Sequence, residues 1–225
     1  ETDFNPVILA LILVLIAVIY FLWQKSKKTQ RDFLMLGLCD SGKTSLFSQI
    51  IYSKKVDTFT SMKENIGEYV CGRSSYRVVD IPGHERVRGK FFDQYKNTAK
   101  GLIFVVDSAT VQKDIRDVAD YLYTILSDSA VSSVPVLVLC NKQDEAMAKG
   151  AVVIRALLEK EMNLIRTTRA SQLQSVDNAK GTNVFLGKQD KDFDFSHLSQ
   201  NVQILEASAT KKELNHLKDW IDRVV

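Results

Sequence analysis

The chain has 225 residues, 25% of them charged and 45% hydrophobic, with a formal net charge of +3. That is room for one good-sized domain plus an appendage, and the composition excludes disordered and fibrous classes. The small charge gives no case for direct nucleic-acid binding, and three cysteines (Cys39, Cys71, Cys140), none at metal-ligand spacing, fit a reducing compartment without disulfides.

The sequence opens on Glu1 rather than methionine, which reads as a fragment or a processed chain. Residues 1–6 are short and acidic. Val7 to Trp23 is an uninterrupted apolar run, VILALILVLIAVIYFLW, behind Pro6. As a helix it spans roughly 26 Å, close to the hydrocarbon thickness of a bilayer. Tyr20 and Trp23 sit where interfacial aromatics belong, and the acidic front without a cleavage site argues against a signal peptide. A single transmembrane helix is expected over 7–23. The basic linker 24–31, with Lys25, Lys27, Lys28 and Arg31, then predicts a cytosolic domain over 32–225, held close to the membrane where its lysines meet acidic lipid.

From Asp32 the chain alternates strands and helices. Phe33 to Leu36 suits a buried strand and Ser45 to Ser53 a helix; Lys54 to Gly67 reads as irregular. Glu68 to Arg73 and Tyr76 to Asp80 suit two adjacent strands. Gly101 to Asp107 is a strand, Val111 to Leu126 a helix with Ile115, Val118, Ala119, Leu122, Ile125 and Leu126 on one face, and Pro135 to Cys140 a strand. Ala151 to Leu164 is predicted helical, Gln203 to Ala207 a last strand, and Lys211 to Val225 a last helix. The alternation predicts an α/β fold with a mostly parallel sheet covered on both faces, and ligands at the carboxyl ends of the strands. Residues 166–201 break the rhythm and are expected to form a surface insertion, with Phe193 and Phe195 anchoring it to the domain or to a partner.

Four segments carry chemistry. Gly37-Leu38-Cys39-Asp40-Ser41-Gly42-Lys43-Thr44 is G-x-x-x-x-G-K-[ST] between a strand and a helix. Gly37 and Gly42 let the backbone curl so that N–H groups from Asp40 to Ser45 face one anion. Lys43 then reaches terminal phosphates, and the Thr44 hydroxyl ligates Mg²⁺. Asp80-Ile81-Pro82-Gly83-His84 ends a strand: Asp80 can hold Mg²⁺ through water, and the Gly83 N–H can meet a γ-phosphate. Asn141-Lys142-Gln143-Asp144 is N-K-x-D. Its Asp144 carboxylate accepts from two guanine donors that adenine lacks, and the Lys142 stem covers the base. Ser208-Ala209-Thr210 follows the last strand, and its backbone can touch the guanine carbonyl oxygen; the usual third residue, lysine, is replaced here by Thr210.

These four motifs in this order resemble the small GTPase family, over Arg31 to Val225. The resemblance implies a six-stranded sheet with five helices, and GTP/GDP with Mg²⁺ as cofactors. The N-terminal anchor, the DxPGHE form of Asp80 to Glu85 and the LGKQDKDFDFSHL stretch are most similar to the family of signal recognition particle receptor β subunits, relatives of the ADP-ribosylation-factor branch. That likeness implies a single-pass protein of the endoplasmic reticulum membrane with residues 1–6 lumenal. It implies a role in cotranslational targeting, tethering a receptor α subunit through its N-terminal domain when GTP is bound, with the translocon or the ribosome as further candidate partners. It also places the switch I hydroxyl for Mg²⁺ at Thr60 or Ser61, and a water-positioning residue at His84. No arginine is evident in cis, although Arg86 and Arg88 lie close by, so slow hydrolysis needing a partner is expected. Two other functions fit the motifs: a vesicle-traffic GTPase whose hydrolysis is its output, and a scaffold with a vestigial nucleotide site.

Overall fold

The computed structural model of the chain describes residues 15–16, 31–54, 61–72, 74–174 and 185–225. The predicted span Val7 to Trp23 lies outside them apart from Leu15 and Ile16, which are helical and exposed. Among the described residues no helix is long and apolar enough to cross a membrane.

The unit Arg31–Val225 is an α/β sandwich of three layers. Its strands are β1 (Asp32–Leu36), β2 (Asn65–Cys71), β3 (Ser74–Asp80), β4 (Ala99–Asp107), β5 (Val136–Asn141) and β6 (Val202–Glu206). Its helices are α1 (Lys43–Tyr52), α2 (Glu85–Tyr95), α3 (Val111–Leu126), α4 (Ala151–Gln174) and α5 (Asn215–Val224). The sheet order is β2-β3-β1-β4-β5-β6, and only β2 runs antiparallel to its neighbour. The predicted six-stranded, mostly parallel sheet is therefore present.

The central strands are apolar on both faces because both faces are covered. In β1, Leu34 and Leu36 point to the layer of α2, α3 and α4, while Phe33 and Met35 point to α1 and α5. The first face takes Phe92, Leu122, Ile154 and Leu158; the second takes Leu46, Phe47, Leu217 and Trp220. Trp220 meets Phe33 edge-on with ring centroids 6.1 Å apart. At the far end of β1, the buried Asp32 carboxylate accepts from Arg77 Nε at 2.7 Å and Nη2 at 2.6 Å, and from the Thr98 hydroxyl.

Three expectations change, the first being that the last helix starts at Asn215 and not at Lys211, because Glu213 is drawn into a bridge with Ser208. Strand β2 begins at Asn65, inside the stretch expected to be irregular, because pairing with β3 extends the strand to the Asn65 and Asp80 partners. Helix α4 does not stop at Leu164 but runs to Gln174, taking the first nine residues of the predicted insertion. Its polar continuation is accommodated by hydroxyls bonding back to the preceding turn: Thr167 and Thr168 to Leu164 O at 2.8 and 2.9 Å, Ser171 to Thr167 O at 3.0 Å. Residues 175–184 of the insertion lie outside the described residues. Its latter part, from 185, packs on the domain: Leu186, Phe193 and Phe195 are buried in the core layer of α3 and α4. Arg166 holds it there, donating to the carbonyls of Leu186, Lys188 and Lys191.

Candidate functional site

The carboxyl ends of β1, β3, β5 and β6 converge, and all four motifs lie there. The loop after β1 curls through left-handed backbone at Asp40 (φ 59°) and Gly42 (φ 87°), with Gly37 at φ 138°. A side chain at Gly37 would begin 2.3 Å from Val105 O, and one at Gly42 2.3 Å from Asn141 Nδ2. Helix α1 starts directly at Lys43, so its amino end closes the loop. Lys43 folds back over it: Nζ donates to Leu38 O at 2.6 Å and to Ser41 Oγ at 3.4 Å, while Ser41 Oγ donates to Leu38 O at 2.9 Å. The lysine is buried, and burial pushes its ammonium below the usual lysine range, partly offset by Asp80. A buried cation resting on a carbonyl and a hydroxyl is matched to an anion such as a phosphate. Ser45 sits half-buried in the first turn of α1.

Asp80 ends β3 beside that turn. Its Oδ2 accepts from Thr44 Oγ1 at 2.8 Å and from Asn65 Nδ2 at 3.0 Å, while its buried Oδ1 has no partner among the described residues. Burial pushes the carboxyl above its ordinary range, against the pull of Asn65, Thr44 and Lys43. Thr44 gives its proton to Asp80, which leaves the hydroxyl lone pairs directed elsewhere. One hydroxyl and one orphaned carboxylate oxygen form a hard, sparse donor set. That suits Mg²⁺, which keeps several waters and takes its remaining ligands from substrate phosphates. No group of three acidic, histidine or cysteine side chains that could enclose a metal occurs among the described residues. Of the two switch I candidates, Thr60 lies outside the described residues, and Ser61 is half-buried. The side chain from this stretch that does reach Asp80 is Asn65, which sequence reasoning missed.

Beyond Asp80 the chain presses on the phosphate loop: a side chain at Gly83 would begin 2.6 Å from Cys39 N. His84 caps α2, its Nδ1 accepting from Arg86 N at 3.3 Å. The Arg88 guanidinium lies over the Tyr121 ring, 4.2 Å from its centroid, and Arg86 is exposed.

Asn141 ties the remaining pieces together. Its Nδ2 donates to Ser41 O in the phosphate loop at 2.9 Å, and its Oδ1 accepts from Ala209 N at 3.2 Å. Lys142 is left-handed (φ 66°), and its ammonium pairs with Asp107 Oδ2 at 2.6 Å. Asp144 Oδ1 accepts from the buried Ser208 hydroxyl at 2.6 Å. The Ser208 Oγ in turn accepts from Lys211 N at 3.0 Å. The Ser208 bond, then the Thr210 hydroxyl and the Lys211 charge, hold the Asp144 carboxyl below the ordinary range. Gln143 braces the site: its Nε2 donates to Ser108 Oγ and to Lys149 O, each at 2.9 Å. No spacing rule pointed to Asp107 or Ser108. Their positions follow from the β4–β5 register, which aligns Asp107 with Asn141.

The family model described as signal recognition particle receptor beta subunit matches residues 28–202. A signal recognition particle receptor subunit beta from Rattus norvegicus is 39% identical over 232 residues, covering 97% of this chain and 86% of that protein. Among solved structures, that of the mammalian SRP receptor superposes with a TM-score of 0.78 at 40% identity, covering 87% of this chain and all of the other. A Chaetomium thermophilum SRb-GTP/SRX complex shares the fold, with a TM-score of 0.70 at 21% identity over 87% of this chain and 98% of that one.

Proposed function

The chain belongs to the signal recognition particle receptor beta subunit family, and from that membership we propose that it is a membrane-anchored, GTP-binding regulatory subunit. It tethers the receptor's α subunit, through that subunit's N-terminal domain, at the endoplasmic reticulum while GTP is bound. The observation that carries the nucleotide reading is the Asn141 carboxamide, which bonds the phosphate loop on one side and the Ser208-Ala209-Thr210 loop on the other. A base at Asp144 and phosphates at Lys43 thereby belong to one ligand.

Lys43 and the N–H groups from Asp40 to Ser45 bind the phosphates. Asp144 and Lys142 select and cover guanine, with Ser208 and Ala209 beside it. Thr44, and Asp80 through water, would hold Mg²⁺, with Thr60 or Ser61 as a further candidate ligand; the metal would neutralise phosphate charge. Gly83 donates to the γ-phosphate. His84 accepts the Arg86 N–H at Nδ1, which leaves Nε2 to position a water, and Arg88 lies over the Tyr121 ring, so an arginine for the transition-state charge is left to a partner. Intrinsic hydrolysis is therefore slow and waits on a partner. Residues 7–23 anchor the domain 32–225 through the linker 24–31, with residues 1–6 lumenal. A GTP-bound complex with SRX in the C. thermophilum relative supports the same partner here.

The full chain in detergent should bind GTP and GDP far more tightly than ATP, and Asp144→Asn should shift the preference to xanthine nucleotides. Purified α subunit N-terminal domain should be retained with GTP and lost with GDP. Equal binding of ATP refutes the nucleotide reading. Partner retention that survives Lys43→Ala points to the scaffold instead. Rapid single-turnover hydrolysis without any partner points to the vesicle-traffic GTPase.

A further inference from the structure

Among the described residues the Asp80 carboxylate is held at one oxygen only. Thr44 reaches Oδ2 from α1 and Asn65 reaches the same atom from β2, at 2.8 and 3.0 Å. Two donors from two different elements fix the carboxylate plane, because rotation about Cβ–Cγ would break both bonds at once. Oδ1 is then left buried, in one orientation and without a partner among the described residues. Asn65 is itself well located. It pairs with Asp80 across β2 and β3, and its neighbour Glu64 accepts from the Tyr95 hydroxyl of α2 at 3.1 Å. The residue type matters as well. A carboxamide donates without carrying charge, whereas a lysine or arginine there would repel a cation and a carboxylate would repel Asp80.

We infer that Asn65 is a positioning residue for the Mg²⁺ site: with Thr44 it occupies Asp80 Oδ2, so that Oδ1 is presented to the metal's water shell. This rests on the nucleotide reading above. Removing the partners that orient the groups around a metal typically costs about 10–100-fold in its affinity, and a carboxylate acting through water belongs at the lower end of that range.

The test follows release of a fluorescent GDP analogue from the full chain as free Mg²⁺ is varied, in wild type and Asn65→Leu. Leucine keeps the volume and suits a strand at least as well as asparagine; Asn65→Ala asks the same question should the leucine variant not fold. The variant should need about tenfold more Mg²⁺ for half-maximal slowing of release, with release in excess chelator unchanged. A Mg²⁺ midpoint equal to wild type overturns the inference. So does a midpoint that stays put while release accelerates equally with and without metal, since Asn65 would then be a strand-end clip only. Wild-type release insensitive to Mg²⁺ would sink the metal site itself and this inference with it.

Discussion

Gly42 and Asn141 are in contact at a distance that admits no side chain between them: a Cβ on Gly42 would lie 2.3 Å from Asn141 Nδ2. The same carboxamide nitrogen donates to Ser41 O, one residue away. Gly42→Ala therefore meets two obstacles, a left-handed φ of 87° and a collision with the side chain that joins the motifs. Left-handed backbone alone costs about 1–2 kcal/mol for an L residue. Asn141 can yield only by leaving Ser41 and Ala209. We expect GDP affinity to fall by more than about 100-fold, the product of strain and two lost hydrogen bonds, while circular dichroism stays that of the folded domain. Titration with a fluorescent nucleotide measures it.

The Asp144 and Ser208 pair sets the acid limit of guanine recognition. The fold holds the Asp144 carboxyl below its ordinary value of 3.8, chiefly through the Ser208 hydroxyl. A depressed acid favours the ionised form, so its contribution is present above the ordinary value and is lost as pH falls through the lowered one. Nucleotide affinity should thus show no loss from Asp144 between about pH 6 and pH 4. Ser208→Ala removes the first of the holding bonds and should move the onset of loss to higher pH. Equal acid profiles for the two proteins would contradict this assignment.

Arg166 is buried and spends its guanidinium on three loop carbonyls, at Leu186, Lys188 and Lys191. Arg166→Ala leaves those acceptors without their donor and removes the stem that fills the space beneath. The buried Leu186 carbonyl loses its donor at about 1–3 kcal/mol, the part-buried Lys188 and Lys191 carbonyls lose their anchor, and the loop 185–192 should detach. Phe193 and Phe195 should then become reachable. Limited proteolysis should show a new cut after residue 185 with nucleotide binding preserved. A digestion pattern like wild type would rule out the clamp.

Arg166 also marks where sequence reading ends. Gly37–Thr44, Asp80–Gly83 and Asn141–Asp144 were legible because each needs a particular residue at a particular step of a strand-to-loop turn. Those constraints are local. The buried strands Phe33–Leu36 and Val136–Cys140 were legible for the same reason: their apolar runs match the strand length. Asn65 was not legible, because its value depends on standing opposite Asp80 across β2 and β3, and register is a property of two segments. The last nine residues of α4 looked like a loop because Thr167, Thr168 and Ser171 are poor helix formers. In the fold their hydroxyls are bonded to the helix backbone, and Arg166 is turned inward to a loop some 20 residues away. A charged residue that packs inward has no signature in composition.

Lys43 separates function from stability most cleanly. It is 5% exposed, and burial drives its ammonium below the usual range. The nucleotide-free fold therefore carries a charge it would rather neutralise. Removing the amine strands little, because Leu38 O keeps the Ser41 hydroxyl as donor at 2.9 Å. Methionine has the length to fill the space. Lys43→Met should abolish nucleotide binding and yet raise the stability of the nucleotide-free protein by about 1 kcal/mol, a gain of the kind seen when functional strain is relieved. For a domain of this size that is a melting shift of about 2–4 °C. The pH dependence fixes the cause. A base whose folded pKa is lowered penalises the fold while it is charged, so the penalty is present below the lowered value and fades as pH rises through it towards 10.5. The melting advantage of Lys43→Met should shrink over that same rise. Thermal melts of both proteins without nucleotide, from neutral to alkaline pH, decide it: a destabilised methionine variant, or a constant gap, would show that the lysine is held by its hydrogen bonds and not strained by its burial.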